Sequence, residues 1–522
     1  VSDAAAAGAP AHARRRTRDL LYALALTAAL AHLGVIALQR DAGYDLPWHL
    51  ALGNELLDTH HVPRVDRYSY TFAGRPYAMI PWLFEGAVAA AYRATGGLLG
   101  PMLVRLACLL VGFLGLARLL AAWRVGRFTA LAGLVIAFEL ARARFQLRPE
   151  IFLVPFLAAL LWLIHLAETR RSPVWLAAIV ALFALFSNVH PGLTPVLGLV
   201  LGCHVAARGL AWAARRRLAR VVGAPPARRE VARWLLTGAA AAAATGLNPT
   251  GYHAFAALHA VSPLWASLIT EYAPISFVDS PPLWQAFVVV VPLTVVGGWR
   301  PQALPGALAS AVLGVMAFRY HRLIGACALV ATPVLAISLS ELAARIRAHA
   351  PGRARVWAGV GALGLTALVA LAGWGAYGRD HVVAHLGIAF EPTLYPIRAA
   401  DFLARNPPRG RLFNDYNFGG YLLWRLGPAL PVLIDGRTGM TYDDAFAREI
   451  SAALERPDAF TELCDRRGVT VVVVRQHGLA FHLTRLRGWL VVHFDDVAVV
   501  YARDVESERA LIGRHAYRHL DP

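Results

Sequence analysis

The sequence predicts a polytopic α-helical membrane protein that carries a C-terminal α/β domain. Three observations predict it. Hydrophobic residues fill 57% of the 522 positions and charged residues only 16%, where a soluble domain carries about 25% charged. Apolar stretches of roughly 17 residues or more recur between Leu20 and Tyr377, each long enough to cross about 30 Å of hydrocarbon. From about Gly378 the texture changes to short β-branched runs separated by amphipathic segments.

Taken in order, the chain opens on a basic tail, Arg14–Arg16 and Arg18, followed by an apolar run at 20–38. No cleavable signal pattern precedes it, so it reads as an uncleaved first span that also directs insertion. A long polar connection at 40–97 follows. Within it Pro47 suits the first turn of a short helix that Asp45 can cap. The stretch 81–97 carries Glu85 and Arg93 and reads as an amphipathic helix on the membrane interface. Further spans are expected at 98–122, 128–143, 150–167, 174–189, 192–212, 231–247, 282–299, 302–318, 322–341 and 355–377.

The arginines then sort by side. Arg14–Arg16, Arg124, Arg127, Arg170, Arg171, the cluster from Arg215 to Arg229, Arg300 and the group from Arg345 to Arg355 fall on one set of connections, which the positive-inside rule places in the cytoplasm. About eleven spans result, with the N-terminus inside and the C-terminus outside. The domains are then 1–377, the membrane domain, and 378–522, an extracytoplasmic α/β domain. Its expected strands are 409–413, 430–434, 469–475, 489–494 and 497–502, with helices at 393–405, 443–455 and 457–467.

Composition excludes some functions. The net charge of +18 comes entirely from arginine, since the chain has no lysine. It reflects topology signals and codon bias, and no nucleic-acid-binding module accompanies it. Cys108, Cys203, Cys327 and Cys464 have neither disulfide nor zinc spacing.

Polar groups gather on the outer connections. The first carries Asp41, Asp45, His49, Asp66 and Glu85; His49 lies four residues beyond Asp45, so both address one side of a helix start. Arg142, Arg144, Gln146, Arg148 and Glu150 flank a span entrance. Asn188 and His190 form a tight turn, Asn248 opens another, and Glu271 lies in an amphipathic loop. Arg319, His321 and Arg322 place positive charge against the orientation rule, and ionisable groups near membrane depth are functional candidates. Each has a plainer reading: a cap for Asp45, a turn for Asp66, packing for His49, headgroup contacts for the arginines. Together they fit a general base beside a lipid phosphate or diphosphate leaving group, whose growing charge needs cations. The arginine fork suits phosphate.

The first connection also carries a resemblance. Gly43-Tyr44-Asp45 with His49, then Trp82-Leu83-Phe84-Glu85, resembles the GT-C superfamily of integral membrane glycosyltransferases, and within it the protein O-mannosyltransferase-like enzymes and the lipid A aminoarabinose transferases. The pattern Asp45, Trp48, His49, Leu50, Gly53, Pro63, Asp66, Tyr68, Ser69, Tyr70, Thr71, the turns at Asn188-Val189-His190 and Leu247-Asn248-Pro249-Thr250-Gly251, and Asp435-Gly436-Arg437 are similar to uncharacterised bacterial members. The resemblance implies an inverting transfer from a polyprenyl-phosphate sugar to a lipid, glycan or protein acceptor, in a bacterial inner membrane, with the active site facing outward. It implies Asp45 as base or metal-site ligand, and Glu85 falls on the helix that follows this loop in relatives; with His49 on the same side of the helix start, Asp45, His49 and Glu85 are the candidate catalytic residues. Arg148, Arg319, His321 and Arg322 are then the candidate donor-phosphate ligands. The chain departs from the oligosaccharyltransferase branch, since Asn414-Asp415-Tyr416-Asn417-Phe418-Gly419-Gly420-Tyr421 only echoes its acceptor motif. Leu46 follows Asp45 where an Asp-Glu pair would supply metal ligands, so a divalent metal (Mg or Mn) at Asp45, His49 and Asp66 stays open and no cofactor is assigned. A lipid-linked glycan flippase and a non-catalytic scaffold are the alternative functions.

Overall fold

The computed structural model describes residues 3–77, 79–214, 219–255, 264–265, 274–349, 373, 382–438, 441–476 and 488–517. Its helical part comprises α1 (Asp3–Ala37), α2 (Leu46–Thr59), α3 (Trp82–Thr95), α4 (Leu99–Ala122), α5 (Arg127–Ala141), α6 (Leu153–Arg170), α7 (Pro173–Val189), α8 (Thr194–Ala214), α9 (Arg228–Ala244), α10 (Pro282–Gly297), α11 (Leu304–Arg319) and α12 (Ile324–His349). All the expected spans except 355–377, of which only Gly373 is described, coincide with one of these helices. Among the described residues, six stretches are long and apolar enough to cross a membrane: Arg16–Ala37, Leu99–Ala122, Pro149–Arg170, Pro191–Ala214, Pro301–Arg319 and His321–His349. α7 and α10 are shorter apolar helices.

The helices pack around α12. Every residue from Ile324 to Ser338 is buried, which is how a helix that is apolar on all faces satisfies itself. Small residues let neighbours close in on it: a Cβ on Gly325 would lie 3.0 Å from Ala141 Cα of α5. α2 and α3, inside the first connection, form a pair of the same kind. A Cβ on Gly53 would fall 2.1 Å from the Glu85 carbonyl oxygen, so only glycine permits that crossing.

The C-terminal part holds a four-stranded sheet of β1 (Arg411–Asn414), β2 (Val469–Arg475), β3 (Trp489–Phe494) and β4 (Ala498–Arg503) in the order β1-β2-β4-β3. β1 and β2 are parallel, and the other pairs are antiparallel. The valine run of β2 is almost wholly buried, as a central strand covered on both faces should be. Around it lie α13 (Ile397–Arg405), α14 (Tyr416–Leu426), α15 (Asp444–Glu455), α16 (Pro457–Arg467) and α17 (Arg509–His515). Asp415 and Asp443 cap α14 and α15 through side-chain bonds to Asn417 N and Phe446 N.

One expected strand is corrected. Residues 430–434 join no sheet and make a single bridge, Val432 to Ser69 of the first connection. Their backbone is satisfied otherwise. Leu433 N donates to Asn414 Oδ1, Asn414 Nδ2 donates to Ile434 O, and Thr71 Oγ1 donates to Leu433 O. The first connection and the C-terminal part are therefore laced together, and one apolar core runs from Leu33, Leu46 and Trp48 through the helices to Leu412, Val471 and Val500.

Candidate active site

The site is built at the start of α2. Asp45 occupies the N-cap position and Pro47 the first turn, but the Asp45 side chain makes no capping bond, which corrects the expected cap. Its backbone is helical there, so the carboxylate swings off the helix end. Asp45 Oδ2 pairs with Arg148 Nε at 2.8 Å, and Trp48 Nε1 donates to Oδ1 at 3.2 Å. Arg148 also donates from Nη2 to Gly43 O at 2.7 Å. Tyr44, between them, has φ +58°, a strained conformation for a non-glycine residue and one that clusters at functional sites. The Asp45 side chain stays 25% exposed, so a substrate hydroxyl can reach it.

Gly436 closes the other side of Asp45. A Cβ there would lie 2.9 Å from Asp45 Oδ1 and 3.0 Å from Trp48 Nε1. Gly420 of α14 approaches Tyr44 O and Trp48 in the same manner, and Gly419 meets Ile434 O. Gly420 thus lets α14 close on the start of α2.

Across Gly43 from this pair is a cavity of about 600 Å³, lined by Arg40, Asp41, Arg105, Glu139, Arg142, Arg144, Gln146 and His321 among others. Four arginines and a histidine face two carboxyl groups there. Of those two, Glu139 is engaged by His32 and Arg142. A second cavity of about 520 Å³ is almost wholly apolar, lined by residues of α1, α4 and α5 such as Leu33, Phe113 and Ala132. Glu139 borders both cavities.

Of the donor-phosphate candidates, only His321 lines the cationic cavity. Arg148 is committed to Asp45, Arg319 is exposed over the Tyr320 ring, and Arg322 lines a separate void of about 30 Å³ with Arg144 and Glu150. Arg40 and Arg105 were not anticipated there. Arg105 was legible: an arginine in the middle of an apolar span is a functional candidate on cost alone. It also closes the end of α1, donating to Ala37 O and Gln39 O.

His49 and Glu85 are not brought to either cavity. His49 Nδ1 lies 3.0 Å from Glu85 Oε1, with side chains 3% and 0% exposed. Burial, reinforced by Arg148 and His190, drives the imidazole well below its ordinary range, and burial drives the Glu85 carboxyl well above its own. The pair sits under Trp48, whose ring centroid lies 3.6 Å from that of His49. It joins α2 to α3 and is closed off from both cavities.

Asp66 is buried on Arg437. Burial alone would raise its carboxyl, but the Arg437 guanidinium and the Ser69 hydroxyl outweigh that and hold it below the usual range. Asn188 accepts from Trp82 Nε1 and donates to Leu247 O, bracing α3 against α7. Asn248 forms its own turn, accepting from Thr250 N and Oγ1. His190 is pushed down to about 4, chiefly by burial. Glu271 lies outside the described residues. Among the described residues no three His, Cys, Asp or Glu side chains converge on a metal position. Asp45, His49 and Asp66 do not fit one, because Glu85 and Arg437 occupy the last two.

No known protein family and no curated protein matches the chain in sequence. Solved structures match it in fold. ArnT from Cupriavidus metallidurans in the apo state superposes with TM-score 0.55 at 16% identity, over 94% of this chain and 98% of that one. The same protein bound to undecaprenyl phosphate gives TM-score 0.52 at 15% identity, again over 94% and 98%. The archaeal oligosaccharyltransferase AglB from Archaeoglobus fulgidus, in complex with an inhibitory peptide and a dolichol-phosphate, gives 0.54 at 12% identity over 92% of this chain and 74% of that one. The chain shares the fold of ArnT and AglB.

Proposed function

We propose that the protein is a multi-pass membrane glycosyltransferase that moves a sugar, with inversion, from a polyprenyl-phosphate donor to a hydroxyl-bearing acceptor. The reaction takes place at the outer face of the cytoplasmic membrane. The observation that carries this reading is a cationic cavity whose wall residues Asp41 and Gln146 meet, at Gly43, the Arg148 that holds Asp45, and which borders an apolar cavity through Glu139. A lipid phosphate needs that pair of environments: cations for its head and an apolar wall for its tail. The arginine count supports the sidedness.

The chemistry follows. An acceptor hydroxyl gives its proton to the Asp45 carboxylate as its oxygen bonds to the anomeric carbon. The bond from that carbon to the phosphate oxygen breaks, and its electron pair leaves on the lipid phosphate. Arg40, Arg142, Arg144 and His321 stabilise the charge that grows there. Arg148 holds Asp45 aimed through the Nε–Oδ2 pair. Neighbouring structures hold undecaprenyl phosphate and dolichol-phosphate, which agrees with a lipid-phosphate ligand here.

The test uses the full chain in lipid nanodiscs with radiolabelled polyprenyl-phosphate sugars and membranes from a strain lacking the gene as the acceptor source. Label leaving the lipid fraction with the wild type, and not with Asp45→Asn, is the expected result. Equal transfer by Asp45→Asn removes Asp45 from the base role. Labelled lipid moving across the bilayer with no covalent product favours the flippase instead.

A further inference from the structure

Tyr44, the residue before Asp45, stands in the left-handed region at φ +58°. A residue with a Cβ crowds its own following carbonyl there, so the conformation persists only where the surroundings over-determine it. Tyr44 N donates to Tyr395 OH at 2.9 Å, and that hydroxyl donates in turn to Asp41 Oδ2. One phenolic hydrogen cannot serve both bonds, so Tyr395 is the donor to Asp41 and the acceptor from Tyr44. Tyr395 is 0% exposed, its ring 4.9 Å from that of Phe390 and 5.5 Å from that of Tyr421. The Asp41 carboxyl is fixed as well: the Gly43 backbone also donates to it, and Asp41 N donates to Ala389 O. The acceptor offered to Tyr44 N is therefore held in one place.

The far end of Tyr44 is held too. Arg475, the last residue of β2, donates from Nη2 to Tyr44 OH at 2.6 Å, and its guanidinium lies 5.5 Å from the ring centre. α14 closes on the carbonyl between these two ends, where a Cβ on Gly420 would fall 2.9 Å from Tyr44 O. Backbone N–H and phenol are thus gripped from positions 351 and 431 residues away in sequence.

Resting on the glycosyltransferase reading, we propose that Tyr395 and Arg475 are positioning residues for the base: they hold Tyr44 left-handed, and that backbone turns Asp45 off the start of α2 towards Arg148. A rotation at Tyr44 acts on Asp45 because Asp45 is the next residue. α2 itself cannot follow, since Gly53 locks it against α3 at the Glu85 carbonyl. The rotation is absorbed in the residues before that lock, where the Asp45 carboxylate leaves the helix. Without its two grips Tyr44 relaxes to negative φ, and the carboxylate moves with it while the cationic cavity keeps its arginines.

The experiment measures steady-state transfer by the full-length protein in nanodiscs, with membranes from a strain lacking the gene as acceptor. The donor is whichever of the glucose, mannose, galactose and aminoarabinose conjugates of undecaprenyl phosphate the wild type uses fastest. Tyr395→Phe deletes both hydrogen bonds and keeps the ring. It should lower kcat by about 10- to 100-fold, the cost of a displacement of up to about 1 Å at a reacting group, with KM for the donor changed less than about twofold. Tyr44→Gly, for which positive φ carries no steric penalty, should recover most of that loss when added to Tyr395→Phe. The Arg475 side chain is 33% exposed, so Arg475→Gln leaves folding intact even where Tyr395→Phe does not, and it should lower kcat in the same sense, by about threefold or more. Undiminished kcat in both variants, a loss confined to KM, or a Tyr395→Phe loss that Tyr44→Gly leaves untouched overturns the positioning role. Absence of transfer from all four conjugates, or full transfer by Asp45→Asn, would instead remove the base reading on which the role rests.

Discussion

A glycine governs the aim of Asp45. The Arg148 pair holds one carboxylate oxygen, while the other is bounded by Gly436, where a methyl would press to 2.9 Å. Gly436→Ala is therefore expected to push the carboxylate aside without breaking any buried pair. A displacement near 1 Å at a reacting group costs about 10²-fold in rate, so transfer should fall by that order while undecaprenyl phosphate affinity holds; an unaffected transfer rate would show that Asp45 tolerates the shift. A histidine gives a second prediction at this scale. His190 is held at about 4 by burial against about 6.5 in an unfolded chain. Between those values the unfolded state binds the extra proton, so His190 contributes stability that is present above pH 6.5 and is lost as pH falls through about 4. Thermal unfolding in detergent from pH 7 to pH 4.5 should show the wild type losing Tm faster than His190→Gln; parallel curves would exclude the histidine.

At the scale of elements, the helices were legible and one strand was not. Hydrophobic length marks a span whatever it packs against, so the bounds of α4 or α8 follow from composition. The run Leu430-Pro431-Val432-Leu433-Ile434 has strand-like residues, yet its partners are the side chain of Asn414 and the backbone of Tyr68 and Tyr70. Nothing in a local pattern announces a partner more than 300 residues away in sequence. The site was legible to the same degree. Asp45 stood out beside a span, whereas Arg40, Arg105 and Gly436 act through folding distance. Asn414 tests the element directly. Asn414→Ala leaves Leu433 N and Ile434 O buried without these bonds, and each unsatisfied group costs about 1–3 kcal/mol. Urea unfolding should show a loss in that range for each group, while Asn414→Asp, which keeps an acceptor for Leu433 N, should lose less.

At the scale of the whole molecule, the first connection and the C-terminal part pack as one unit, and a buried ionic knot fastens them. Arg437 is wholly buried. Its Nε and Nη2 reach Asp435 at 2.8 and 2.7 Å, and its Nη1 reaches Asp66 at 2.8 Å. Tyr442 OH donates to Asp435 Oδ2, and the Tyr77 ring lies 5.2 Å from the guanidinium. Gly436 sits inside this knot, one residue before Arg437, so the geometry that bounds Asp45 depends on it. Desolvated charges that lose a partner are costlier than the pair was worth. Arg437→Met strands two carboxylates at once and should destabilise by about 3–5 kcal/mol, whereas Asp66→Asn leaves Arg437 on Asp435 and should cost clearly less. Tm in detergent orders the two variants. Limited proteolysis within 60–76 reports whether the first connection has come away, and transfer reports whether Asp45 has lost its boundary. If Asp66→Asn keeps its Tm yet loses transfer and exposes the connection, the knot serves to position the base. Equal loss of stability in both variants, with intact transfer in the folded fraction, would make it a structural clasp alone.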